Sequence, residues 1–338
     1  MKTLVCTDPG HLDYISKEEP QLTKGHAIIK IKRVGICGTD LHAFEGTQPF
    51  FEYPRILGHE LAGELLAFDD APGFELGEAV TIIPYFNCGH CIACRNGKPN
   101  CCSSIKVCGV HEDGGMAEYL SVPSYSLVHG EGLSFDQLAL LEPLAIGAHG
   151  VRRALIQTEE NVLVIGAGPI GLGTTEFARI AGGNVIVMDV NEKRLQFCKE
   201  NLKVPHTINA LSDDVIDQLK SLTNGEMPSI VIDCTGNLKA INHGFQYLSH
   251  GGRYVLIGLQ KGEICFSHPE FHKREATLMS SRNATRADFE KVMSAMQKKE
   301  IDPGNYITHR VHFDEVKDEF EKWLDPANQV IKAMVEMQ

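Results

Sequence analysis

Much of what would mark a membrane, exported or nucleic-acid-binding protein is missing from this chain. No uninterrupted apolar stretch approaches the roughly 18 residues that a bilayer-spanning helix needs, so no membrane partner is expected. The opening Met1-Lys-Thr-Leu-Val-Cys-Thr-Asp-Pro-Gly10 has too short an apolar run for an export signal, and a cytoplasmic protein is expected. Basic charge is in deficit, with 32 Lys and Arg against 44 Asp and Glu. The resulting net charge of −12 repels nucleic acid and anionic membrane alike. Internal repeats and low-complexity tracts are also absent, which leaves ordinary globular domains. At 338 residues there is material for about two of them.

Glycine, by contrast, stands where it carries information. Asn161-Val-Leu-Val-Ile-Gly-Ala-Gly-Pro-Ile-Gly171 reads as a strand buried on both faces that runs into Gly166-x-Gly168-x-x-Gly171 and a helical period over Leu172–Ala181. In a dinucleotide-binding turn Gly166 permits the tight turn, Gly168 admits a pyrophosphate, and Gly171 lets helix pack on strand. Pro169 and Ile170 lie within this turn and are cofactor candidates with its glycines, and the N-terminus of the helix that follows would take the phosphates. A second run, Asn184-Val-Ile-Val-Met-Asp189, ends in a carboxylate at about the spacing expected for the acid that binds the adenosine ribose and repels a 2′-phosphate. No arginine directly follows Asp189, and Arg194 on the next helix is a further cofactor candidate. NAD is the cofactor expected.

The rest of the chain divides by pattern. Residues 1–150 hold short strand-like runs such as Ala27–Val34 and Glu78–Pro84 between turn residues, the signature of a β-barrel-like domain. From about 161 to 282 strands and helices alternate, as in a doubly wound parallel sheet, with further strands at Ser229–Asp233 and Arg253–Gly258 and helices at Glu192–Asn201 and Asn237–Leu248. The last fifty residues read as a helix at Ala287–Lys299, an extended Tyr306–Phe313, a helix at Phe313–Trp323 and a strand at Lys332–Glu336.

Five of the eleven cysteines fall between Cys88 and Cys102. Cys88-x2-Cys91-x2-Cys94, followed by the adjacent Cys101 and Cys102, is a pattern for four thiolates around a closed, structural Zn²⁺; iron–sulfur ligation is the alternative. A second set is scattered: Cys37, Thr39, Asp40 and His42 within six positions, then Gly58-His59-Glu60, then Leu141-Glu142-Pro143. Each member has an ordinary reading: a small core thiol, a satisfied histidine, a helix-start carboxylate. No spacing rule joins 37, 59 and 142 into the three protein ligands of an open catalytic zinc.

The scattered set acquires meaning through a resemblance. Gly35-Ile-Cys-Gly-Thr-Asp40, Gly58-His-Glu-Leu-Ala-Gly63 and the Cys88–Cys102 lobe resemble zinc-dependent medium-chain dehydrogenases along essentially the whole chain. Glu142-Pro143-Leu-Ala is similar to the polyol branch, which includes sorbitol and threonine dehydrogenases. The resemblance implies a GroES-like β-barrel catalytic domain (1–150), a Rossmann domain (151–284) and a C-terminal segment (285–338) that returns to the first. It implies two Zn²⁺ per chain: one held by Cys37, His59 and a carboxylate, Glu60 or Glu142, and one by Cys88, Cys91, Cys94 and Cys102, whose x7 spacing favours Cys102 over Cys101. Thr39 would receive the substrate proton and His42 pass it on, with Glu142 as an alternative acceptor. The stretches 46–54, 109–115, 270–275 and 280–285 resemble sugar-acid dehydrogenases acting at carbon 5 of L-galactonate or L-gulonate, which makes Arg282 and His111 substrate-binding candidates. An NAD-dependent sugar-acid dehydrogenase, homodimeric or homotetrameric, is therefore expected. A sorbitol or threonine dehydrogenase and a non-catalytic relative that binds zinc and nucleotide are the alternatives.

Overall fold

The computed structural model describes residues 1–49 and 51–337; Phe50, within the 46–54 stretch, lies outside them. The chain forms two compact units, residues 1–142 with 302–338 and residues 143–301. These limits differ from the expected 150 and 284, for a reason visible in the second unit. Asp288, on the helix Arg286–Gln297, accepts from His149 Nδ1 (2.9 Å) and Arg152 Nε (2.8 Å) on the helix Leu141–Ala154. With Asp288 1% exposed, this buried network joins both helices to the unit between them.

The second unit is built on six parallel strands in the order His206–Asn209, Asn184–Asp189, Asn161–Ile165, Ile230–Asp233, Arg253–Leu256, Thr277–Ser280. Numbered by sequence this is 3-2-1-4-5-6, the doubly wound order whose switch point lies between the first and fourth strands. Their apolar runs are continuous because helices cover both faces: Leu163, Val231 and Tyr254 are fully buried in this core. The outermost strands, 206–209 and 277–280, escaped the sequence reading because short, half-exposed edges lack such a run.

The first unit holds a seven-stranded sheet whose spine is His26–Gly35, with alternating burial along its length. That strand pairs antiparallel with Glu60–Phe68 on one side and with Tyr119–Pro123 and the C-terminal Lys332–Glu336 on the other. The C-terminal segment thus belongs to this unit and contributes to its core, with Phe320, Val316 and Val335 packed among Ile29, Ile31 and Leu61. No helix among the described residues is long and apolar enough to cross a membrane.

Candidate active site

In the antiparallel pair His26–Gly35 and Glu60–Phe68, Gly35 stands opposite Glu60. Cys37 lies just past the end of one strand and His59 just before the start of the other. The ligand atoms of Cys37, His59 and Glu60 consequently come within 4.8 Å of one another. Asp40 ties the two segments, its buried carboxylate accepting from Cys37 N (2.9 Å) and Gly58 N (3.0 Å). Gly35 provides the space Glu60 needs, because a Cβ there would sit 2.1 Å from Glu60 Oε2.

Lys332 completes the group and was missed in the sequence, where it is only a lysine inside the apolar run Val330–Val335. The C-terminal strand places Met334 opposite Gly35, and this register carries Lys332 to Cys37. Its ammonium donates to both oxygens of Glu60 (2.6 and 2.7 Å) and to Ile36 O (2.9 Å). Burial alone would lower its pKa, but the charges of Glu60 and Cys37 outweigh that and raise it. Glu142 stands outside the ligand group, as buried as His59, and accepts from the hydroxyl of Tyr85, a second residue the sequence reading did not single out. Burial raises the Glu142 carboxyl, against the opposing pull of His59.

A metal fits here. Thiol, imidazole and carboxylate are donors that zinc accepts, and three protein ligands leave a position open. His59 Nδ1 is buried without a hydrogen-bond partner, Asp40 Oδ1 at 3.8 Å being beyond reach. Burial should depress this imidazole, yet the negative charge of Asp40 and Cys37 raises it well above its ordinary value. The pocket attracts a cation.

The second metal group is local. Cys88, Cys91, Cys94 and Cys102 have sulfurs within 4.8 Å of one another, and Cys91 and Cys94 are 3.5 Å apart. A Zn–S bond of 2.3 Å gives tetrahedral S···S distances of about 3.8 Å. Backbone N–H groups of Cys94 and Ser103 bring Cys91 down to about 5, which suits a thiolate ligand. Cys102 is buried and belongs to the group, whereas Cys101 is exposed and does not. His90 is exposed on the lobe, its Nδ1 2.8 Å from Cys88 O.

In the second unit the strand Asn161–Ile165 runs into the turn as its sequence requires. Gly166 has φ +99, and a Cβ on Gly171 would lie 1.7 Å from Gly166 O. The helix begins at Pro169, with Ile170 in its first turn. Asp189 accepts from Ala167 N (2.6 Å) and Asn191 N (2.8 Å), so it braces the turn it faces. Arg194 Nη1 comes within 3.9 Å of the Cβ position of Gly168. Across the switch point, Asp233 holds the Thr235–Gly236 turn, and burial pushes its carboxyl up to about 6.

Thr39 and His42 share the helix Gly38–Phe44, Thr39 half-buried and His42 exposed with Nδ1 3.1 Å from Thr47 Oγ1. His111 lies on a loop fastened to the segment before His59 by Gly114 N to Ile56 O (2.8 Å) and Gly115 N to Gly58 O (2.9 Å). Its Nδ1 accepts from Val107 N (3.1 Å). Arg282 is exposed and belongs to the second unit.

Fold and site together describe a zinc- and dinucleotide-binding oxidoreductase. The "Alcohol dehydrogenase GroES-like domain" family matches residues 23–131 and the "Zinc-binding dehydrogenase" family residues 169–298. The chain is 43% identical to L-galactonate-5-dehydrogenase of Escherichia coli K12 over 99% of this chain and 98% of that one. It is 32% identical to sorbitol dehydrogenase of Halalkalibacterium halodurans over 93% and 94%. The crystal structure of the alcohol dehydrogenase rspB from E. coli CFT073 with NADH superimposes at TM-score 0.92, with 30% identity and 99% of both chains covered. The chain belongs to the zinc-dependent medium-chain dehydrogenases, whose members act on CH–OH donors with a nicotinamide dinucleotide.

Proposed function

We propose that this chain oxidises a secondary alcohol of a sugar acid, of the L-gulonate or L-galactonate type at carbon 5, with NAD. The observation that carries the substrate class is the 43% identity to an L-galactonate-5-dehydrogenase. The convergence of Cys37, His59 and Glu60 favours an enzyme over a binding relative, which has no use for an open metal group.

Cys37, His59 and Glu60 would hold a catalytic zinc beside Glu142, and Cys88, Cys91, Cys94 and Cys102 a structural one. When bound, the zinc supplies Lewis acidity that acidifies an alcohol, and the dinucleotide accepts a hydride. The chain's own residues handle the proton and the substrate. Thr39 relays the proton of the substrate hydroxyl, its Oγ accepting that proton as it releases its own toward His42, one turn along the same helix, which is exposed and passes it to water; Glu142 is the alternative acceptor. Lys332 offsets the negative charge of Glu60. Gly166, Gly168, Pro169, Ile170, Gly171 and Arg194 cradle the pyrophosphate, and the carboxylate of Asp189 selects NAD by repelling a 2′-phosphate. His111 accepts at Nδ1, which places its ring proton on Nε2 and makes that nitrogen a donor for substrate oxygens. Arg282 holds the carboxylate of the acid. A homodimer or homotetramer belongs to the same reading: among the described residues the strand Thr277–Ser280 is paired on one edge only, and a second copy would cover such an edge.

The test is a substrate panel read as NADH absorbance. L-Gulonate or L-galactonate should be oxidised faster than sorbitol and threonine. Because Arg282 is exposed, Arg282→Ala should raise KM for the acid about tenfold, about 1.4 kcal/mol, and leave a neutral polyol nearly unchanged. Faster turnover of sorbitol or threonine would assign the chain to those activities instead.

A further inference from the structure

Besides Asp40, the buried carboxylates of Glu60 and Glu142 border Cys37 and His59, and their donors differ. Glu60 gives both oxygens to Lys332. Among the described residues Glu142 receives one donor, the hydroxyl of Tyr85, on Oε1. Tyr85 is 6% and Glu142 4% exposed, so neither group can replace the other with water. A buried tyrosine hydroxyl must find an acceptor, and an ionised carboxylate makes the strong one. The donor sits on a stiff side chain with two rotatable bonds.

The backbone fixes where that donor points. Tyr85 and Phe86 pair with Val107 and Lys106, and the Cys88–Cys102 lobe is the loop closed between these two short strands. The strand that enters the lobe thus delivers the tyrosine to the active-site carboxylate.

We propose that Tyr85 is a positioning residue for Glu142: its hydroxyl anchors Oε1, orients the carboxylate and leaves Oε2 as the oxygen available to the metal group and the substrate proton. This rests on the dehydrogenase reading above, in which Glu142 serves the open metal group, but not on the sugar-acid assignment.

The experiment is a cycle of Tyr85→Phe, Glu142→Gln and the double variant in the full-length, zinc-loaded chain, on whichever alcohol the unmodified protein oxidises fastest. Tyr85→Phe removes one oxygen atom and should leave folding intact. It should lower kcat at least tenfold with KM within twofold, and a chelator should strip the metal outside the tetrathiolate lobe at least threefold faster. The double variant should be no slower than Glu142→Gln alone, because the tyrosine acts through the carboxylate. A kcat within twofold of the unmodified protein, unchanged metal release, or losses that multiply in the double variant would each overturn the proposal. If phenylalanine at 85 unfolds the chain, fluorotyrosine placed at 85 tests the same bond by changing donor strength at nearly constant volume, and an unaltered kcat overturns it. An aldonate that is not oxidised while another alcohol is would end the substrate assignment and leave this cycle readable.

Discussion

At the scale of single residues, the candidate active site is organised by a contest between charge and burial around Glu60. Gly35 makes room for the carboxylate, and Lys332, 2% exposed, neutralises it. Truncating one member of a buried ion pair strands the other, at a cost of about 3–5 kcal/mol. Lys332→Met should therefore destabilise the metal-free chain by about that much in a denaturant titration. The zinc-loaded chain should lose less, because a bound cation keeps Glu60 compensated. Equal losses with and without metal would show that Glu60 does not face the metal. Gly35→Ala makes the same point by volume, since its methyl group meets the Glu60 oxygen directly.

At the scale of elements, the short pairing of Tyr85–Phe86 with Lys106–Val107 serves two sites at once. It closes the cysteine lobe, presents Tyr85 to Glu142, and supplies the Val107 N–H that His111 accepts. Structural zinc contributes folding free energy directly, so the lobe metal holds this element in place. Cys91→Ser should weaken zinc retention in the lobe, lower the melting temperature and reduce kcat, although no lobe cysteine belongs to the catalytic group. Metal analysis, calorimetry and turnover measured on one preparation check this. Full activity with the lobe zinc lost would separate the lobe from catalysis.

At the scale of the whole molecule, the described residues form one open and one closed metal group, so two zinc ions per chain are expected by metal analysis. Cys37→Ala should reduce the count to one and abolish turnover while both units still melt cooperatively, since neither core contains the open group's ligands as its main packing. A count of one that Cys37→Ala leaves unchanged would remove the catalytic metal from this account.

What the amino-acid sequence determined by itself is whatever its signals encode over short distances. The glycine turn at 166–171 is legible because positive φ and close backbone approach admit only glycine, and Asp189 because the strand that carries it follows at a set spacing. The closed zinc lobe is legible because its ligands lie within one loop. The doubly wound unit shows through its buried apolar strands. Cys37, His59 and Glu60 were grouped by resemblance alone, because the antiparallel register opposing Gly35 to Glu60 has no local signature. Lys332 and Tyr85 were not legible at all. A lysine in an apolar strand and a tyrosine before a cysteine have many ordinary meanings. Only tertiary pairing, which carries the C-terminal strand to the edge of His26–Gly35 and the lobe strand to Glu142, decided that one would neutralise a buried carboxylate and the other donate to its neighbour. Such contacts depend on which strands become neighbours, and that depends on burial summed over the whole first unit, not on any stretch of chain within it.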